Sequence, residues 1–125
     1  MINLPDFSHA FDYENNFYLS CDPTRIGKLL AHYELYKMVR NVPGAIVECG
    51  VFKGTSLVRF ASFRDLFGNP YSKKIIGFDT FGTFPETQFD QDKYPRHKFI
   101  KNAGEESISK EQLLSVLDNK KIEKN

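Results

Sequence analysis

Apolar positions change their spacing at Pro43 and again after Gly68, and these breaks divide much of the chain into helix, strand, helix and strand. Ile26, Leu29, Leu30, Tyr33 and Tyr36 recur at intervals of three and four, the stripe of an amphipathic helix. Asp22 suits its start because its carboxylate accepts from free backbone donors, and Pro23 suits the first helical position. The helix is expected to run to about Arg40, where "NVPG" stops it: Pro43 holds Val42 extended and Gly44 allows the turn. "AIVECG" is apolar, β-branched and too short for a helix, and predicts a buried strand over Ala45 to Cys49. A second helix is expected from about Thr55 to Phe67, with Leu57, Phe60, Ala61 and Phe67 near one face and "GNP" closing it. "KKIIGFDTF" predicts a second strand over Lys74 to Phe78. A crossover of this length implies parallel strands, the building unit of α/β folds.

The flanks are less regular. The first twenty residues are rich in aromatics without a clean period and read as an arm that packs on something else. From Thr80 to about Ile108 no period is sustained, and an irregular stretch of that length suggests a lid, a binding loop or disorder. Ser109 then opens a last helix. Gln112 completes a capping box, Ile108 and Leu113 can form a hydrophobic staple, and Leu113, Leu114 and Leu117 supply the buried side.

At 125 residues the chain is one domain at most, and 41% hydrophobic with 26% charged residues is ordinary for a soluble globular protein. A net charge of +1 gives no basic excess for nucleic acid, and the locally basic end "NKKIEKN" reads as a solvated tail. No apolar run approaches the roughly 20 residues that cross a bilayer, and the N-terminus lacks the order of a secretion signal. Cys21 and Cys49 show no CxxC spacing, so free thiols in a reducing cytoplasm are expected. Cys49 alternates away from Glu48 and is expected in the core. His9, His32 and His97 lack metal spacing, and Asp90, Asp92, Lys93, Arg96 and His97 read as a solvated loop, with sugar contact the lesser alternative.

The candidate chemistry lies in "VECGVFKGTS". A tight turn from a strand into a helix lets a ligand reach the helix's free backbone donors, and glycine is needed where a Cβ would block it. A dinucleotide fingerprint fails here because Phe52 and Thr55 stand where its second and third glycines belong, and a P-loop fails because Thr55 replaces its glycine. What remains is ExGxxxG, formed by Glu48, Gly50 and Gly54, with a second acid, Asp79, at the end of the next strand. Asp79 stands where a carboxylate can take both ribose hydroxyls of a nucleoside. Phe78, Phe81 and Phe84 can wall an adenine or pack in the core.

This arrangement resembles the S-adenosylmethionine site of class I methyltransferases. The longer strings "VPGAIVECGVFKGTSL" and "IIGFDTFGTFPET" resemble the macrocin O-methyltransferase family, as do "FYLSCDPTRIGKLLAHYELYK" and "SISKEQLLSVL". The resemblance covers nearly all of this chain but only the first half of the family's length. It implies an α/β fold, the N-terminal half of a Rossmann-like class I methyltransferase fold. Residues 1–43 would be an N-terminal arm and helix, and residues 44–125 the first half of the cofactor domain. It implies S-adenosylmethionine as cofactor, with Glu48 near the amino group, Gly50 and Gly54 at the methionine moiety, Asp79 on the ribose, and Thr55 and Thr80 among the cofactor-binding residues. The acceptor would be a sugar hydroxyl of a natural product or glycan. Mg²⁺ would be held by acids that this chain does not contain, and a homo-oligomer is compatible. Two other readings are a non-catalytic binding or assembly module and another nucleotide-dependent enzyme on the same scaffold. "LLSVLDNKKIEKN" ends where the pattern calls for a third strand, so the chain is expected to be truncated and inactive alone, with an exposed apolar edge that drives self-association or leaves it loosely folded.

Overall fold

The chain is described here from a computed structural model that covers residues 1–69 and 71–125. The expected helix starts are made by the residues suited to them. Helix α2 (Pro23–Val39) follows α1 (Ala10–Ser20) and is capped by Asp22, whose carboxylate accepts from the backbone and hydroxyl of Thr24. Strands β1 (Ile46–Cys49) and β2 (Ile75–Phe78) flank helix α3 (Thr55–Phe67) and pair in parallel, Ile46 with Ile75 through Cys49 with Phe78. The expected α/β unit is therefore present, with each strand one residue shorter at its start. Helix α4 (Asp90–Ala103) and helix α5 (Lys110–Asn119) complete the chain, and Ser109 and Gln112 form the expected capping box.

The core lies on one face of the strand pair. Val51, Leu57, Ile108 and Leu113 form one buried cluster, Ala61, Leu117 and Ile122 another, and Val58 and Ile75 pack against both. Gly77 is required there: a Cβ would come within 2.6 Å of Leu57 Cδ1 and 2.8 Å of Val51 Cγ2. Tyr36 secures α2 on α3 through the Phe63 and Phe67 rings. Arg64, only 1% exposed, donates to the carbonyls of Lys73, Glu123 and Asn125 and so ties the end of α3 to the last residues.

Several expectations change. The stretch from Thr80 to Ile108 is not irregular: it contains α4 and a bridge between Thr83 and Glu106. This helix carries no apolar stripe and has Pro95 inside it, so its sequence hides it, and tertiary contacts of Phe99 and Arg96 hold it. The first twenty residues include α1, which has no buried residue, whereas Ile2 and Leu4 pack on the core. Leu30 and Leu114 are exposed, because α2 turns Tyr36 inward and α5 turns Leu113 and Leu117. Cys49 is exposed, not in the core: its face of the sheet, shared with Val47 and Phe78, is open. Both cysteines are free. Pro70, part of the expected stop after α3, lies outside the described residues. Among the described residues no helix is long and apolar enough to cross a membrane.

Candidate functional site

The turn from β1 into α3 is built from left-handed residues. Gly50 and Gly54 have φ of 92° and 82°, where a side chain is strained, and Phe52 is held at 50° although it has one. Gly54 occupies the N-cap of α3 without a side-chain cap bond, and its own N–H reaches back to the carbonyl of Val51 at 2.9 Å. The Phe52 carbonyl accepts from the amide of Ile108 at 2.7 Å, which fixes the turn against the start of α5. Lys53 extends the same tie by donating to the carbonyl of Glu106.

Beside this turn lies a cavity of about 590 Å³, bounded by Gly50 and Phe52 on one side, by Phe78, Asp79 and Thr80 at the tip of β2, and by Phe84, Phe99 and Ser107. That volume is in the range of small-molecule sites. Three of its aromatic rings form a chain, Phe52 to Phe99 at 5.4 Å and Phe99 to Phe84 at 5.3 Å between centroids. Phe99 comes from α4, which therefore forms part of the cavity wall. Arg96, one turn before it, anchors α4 by donating to the carbonyls of Pro85 and Phe84.

The strand-end acids have unlike surroundings. Glu48 points to the helix-covered face, and its Oε2 is buried without a hydrogen-bond partner among the described residues. Burial pushes the Glu48 carboxyl up, and Asp79 adds to this, against the opposing pull of Lys28 and Arg59. Asp79 instead accepts from the amides of Val51, Phe52 and Phe81 at 2.8, 2.9 and 2.9 Å. Burial raises the Asp79 carboxyl, but these amides and the Ser107 hydroxyl outweigh it and hold the group below its usual range.

The residues singled out from the sequence are thus only partly brought together. Gly50, Asp79 and Thr80 share the aromatic cavity, whereas Gly54 and Thr55 line a separate space of about 290 Å³ beneath Ile2, Leu4 and Pro5. Glu48 lines neither. Phe84 lines the cavity, Phe78 does so while 60% exposed, and Phe81 packs on the core.

No protein-family model matches the chain, and no curated protein matches it. Among solved structures it is similar to the crystal structure of CalS11, calicheamicin methyltransferase. The two are 38% identical, with a TM-score of 0.53, over 66% of this chain and 32% of that one. The chain therefore spans about a third of the length of the methyltransferase it matches. Its parallel strand pair with flanking helices corresponds to part of a methyltransferase fold.

Sequence reasoning did not find Ser107, Phe52 or Phe99. Ser107 and Phe99 lie in the stretch without a period, and Phe52 carries a signal only as the residue between the two loop glycines. Among the described residues no group of three or more His, Cys, Asp or Glu side chains can hold a metal ion. His32 stacks on Phe60 at 5.0 Å and shares a hydrogen bond with Arg59 at 3.1 Å, a packing role.

Proposed function

We propose that this chain is the cofactor-binding part of an S-adenosylmethionine-dependent O-methyltransferase, and that its acceptor is a sugar hydroxyl. The observation that carries the reading is the orphaned Oε2 of Glu48 at the end of the strand that leads into the glycine turn. A buried carboxylate oxygen without a donor is costly, and the ammonium of an amino-acid ligand would satisfy it. The aromatic cavity beside the same turn has the size and lining for a nucleoside. A ligand joining a nucleoside to an amino acid through a cationic centre fits both features. The similarity to a methyltransferase over 66% of the chain supports this choice, and the sugar acceptor rests on the resemblance of "VPGAIVECGVFKGTSL" and "IIGFDTFGTFPET" to the macrocin family.

The cofactor supplies a sulfonium methyl that an acceptor oxygen attacks in line. The chain's residues bind and orient. Gly50 lets a ligand approach the backbone of the turn, Gly54 shapes that turn at the start of α3, Thr80 offers a hydroxyl at the tip of β2, and Phe52, Phe84 and Phe99 exclude water from the base. Holding the reacting atoms in line and dry is the main source of rate in such a transfer. Among the described residues no group of three or more His, Cys, Asp or Glu side chains forms a site for Mg²⁺.

Calorimetry of the full natural chain with S-adenosylhomocysteine, NAD and ATP tests the reading. Heat with S-adenosylhomocysteine alone is the expected result. Heat only with NAD or ATP would move the protein to another nucleotide-dependent class, and no heat with any of them would remove the cofactor assignment.

A further inference from the structure

Helices α2 and α3 run in the same direction: Tyr36 meets the rings of Phe63 and Phe67, and one turn earlier His32 stacks on Phe60 and meets Arg59. Lys28 and Arg25 continue that face of α2 toward its start, at the spacings of four and three that keep side chains aligned. They therefore come beside the first turns of α3, at the end of β1 where Glu48 precedes the glycine turn. Their charges act accordingly: Lys28 and Arg59 both favour the ionised form of Glu48, and Arg25 presses on Arg59. Three cations thus gather about one acid. None of the ion pairs among the described residues uses Arg25, Lys28 or Arg59, and Glu48 Oε2 is buried without a hydrogen bond from any of them.

Arg59 is half-buried and held in place, its Nη1 lying 3.1 Å from His32 Nδ1. A guanidinium can only donate, so Nδ1 accepts and His32 is the neutral tautomer with its proton on Nε2. Burial and the charges of Arg59 and Lys28 also keep His32 below its usual value. The other guanidinium donors have no bond among the described residues. Opposite charges set close together, each short of a partner, select the ligand that fits. An amine alone would meet Glu48 and be repelled by the cations, and an anion alone would meet the cations and leave the Glu48 oxygen unmet. A ligand end that carries both signs satisfies both, its ammonium on Glu48 and its carboxylate on the cations through charge-assisted hydrogen bonds.

We propose that Lys28 and Arg59 are specificity-determining residues that bind the carboxylate of an α-amino acid group whose ammonium is met by Glu48, so that the site selects ligands with an intact amino-acid end. The inference rests on the S-adenosylmethionine reading for the rest of the ligand and adds to it the two side chains, from α2 and α3, that receive the carboxylate.

The test is calorimetry of the full natural chain with S-adenosylhomocysteine and with its decarboxylated counterpart, which keeps the nucleoside and the ammonium. The wild type is expected to prefer S-adenosylhomocysteine by about thirtyfold. In the double variant Lys28→Gln with Arg59→Gln that preference should fall to about threefold or less, while the decarboxylated compound keeps its affinity or gains, because the cations that repel it are gone. A preference that the double variant retains in full would overturn the proposal. If circular dichroism shows that the double variant does not fold, Lys28→Gln alone, at an exposed position, decides: it should lower the preference by at least about threefold, and no change would overturn the proposal. Equal affinity of the wild type for the two compounds leaves the cofactor reading standing and removes the carboxylate subsite. Binding of neither compound by the wild type removes both.

Discussion

Glu48 and Asp79 stand near the ends of adjacent parallel strands, Glu48 level with Gly77 and Asp79 one residue beyond the pair Cys49 and Phe78. The chain treats them in opposite ways. Glu48 lies on the helix-covered face with an oxygen that no donor among the described residues meets, while Asp79 accepts from the backbone amides of Val51, Phe52 and Phe81. The difference follows from where backbone amides are free. The turn after β1 exposes the N–H groups of Val51 and Phe52 toward the tip of β2, not back toward β1. A carboxylate at the tip of β2 is therefore drawn into structure, and the one on β1 is not. Under the proposed function, the unmet oxygen on β1 is the one that a ligand's ammonium would satisfy.

The largest effect should come from removing the Asp79 carboxylate. Asp79→Ala strands the amides of Val51 and Phe52 and is expected to lower stability by about 3 kcal/mol, read by urea denaturation, with ligand affinity falling as well. A change below about 1 kcal/mol would mean that water replaces the carboxylate and that the two acids are less different than described.

A smaller effect should follow from distorting the turn while leaving both acids intact. In Gly54→Ala the new Cβ would stand 3.2 Å from Leu113 Cδ1 at a backbone φ of 82°. The left-handed conformation and the tight contact together should cost about 1.5 kcal/mol. Affinity measured on the folded variant should fall too, because the turn carries the backbone groups that meet the ligand.

Glu48→Gln sharpens the comparison through its sign. Removing a buried charge with an unmet oxygen should leave stability unchanged or raise it by about 0.5 kcal/mol, while ligand affinity drops. A variant that loses stability as Asp79→Ala does would show that Glu48 is also a folding residue.

Acidification should separate the acids without mutation. The fold raises the Glu48 carboxyl above its usual value, so its protonated form is favoured in the folded chain. An ammonium ligand needs the ionised form, and its affinity should fall as pH drops through that raised value. The Asp79 carboxyl is held below its usual range, so the stability it contributes is complete above the unfolded value and is lost only as pH falls through the lower, folded one. Binding should therefore weaken at a higher pH than the fold, seen by calorimetry and thermal melts across the same pH series.

Much of this was legible in the residues themselves. The strand pair, its parallel sense, the caps of α2 and α5 and the position of the glycine turn follow from local patterns: β-branched runs, Asp22 before Pro23, Ser109 before Gln112. Helix α4 was not, because its apolar contacts are few and made at long range: Phe99 meets Phe52 across 47 positions of sequence. The exposure of Cys49 and Val47 was also hidden, since alternation gives two faces without saying what covers each. The distinction between Glu48 and Asp79 depends on the direction of backbone N–H groups, which spacing does not encode.

The most direct test compares S-adenosylhomocysteine with 5′-methylthioadenosine, which keeps the nucleoside and lacks the amino-acid end, by calorimetry of the wild type, Glu48→Gln and Asp79→Asn. The expected result is a wild-type preference for S-adenosylhomocysteine of about a hundredfold, reduced to about tenfold or less by Glu48→Gln and left unchanged in ratio by Asp79→Asn, which weakens both compounds alike. Equal affinity of the two compounds in the wild type, or a preference that survives Glu48→Gln and disappears in Asp79→Asn, would contradict the division of labour between the two carboxylates.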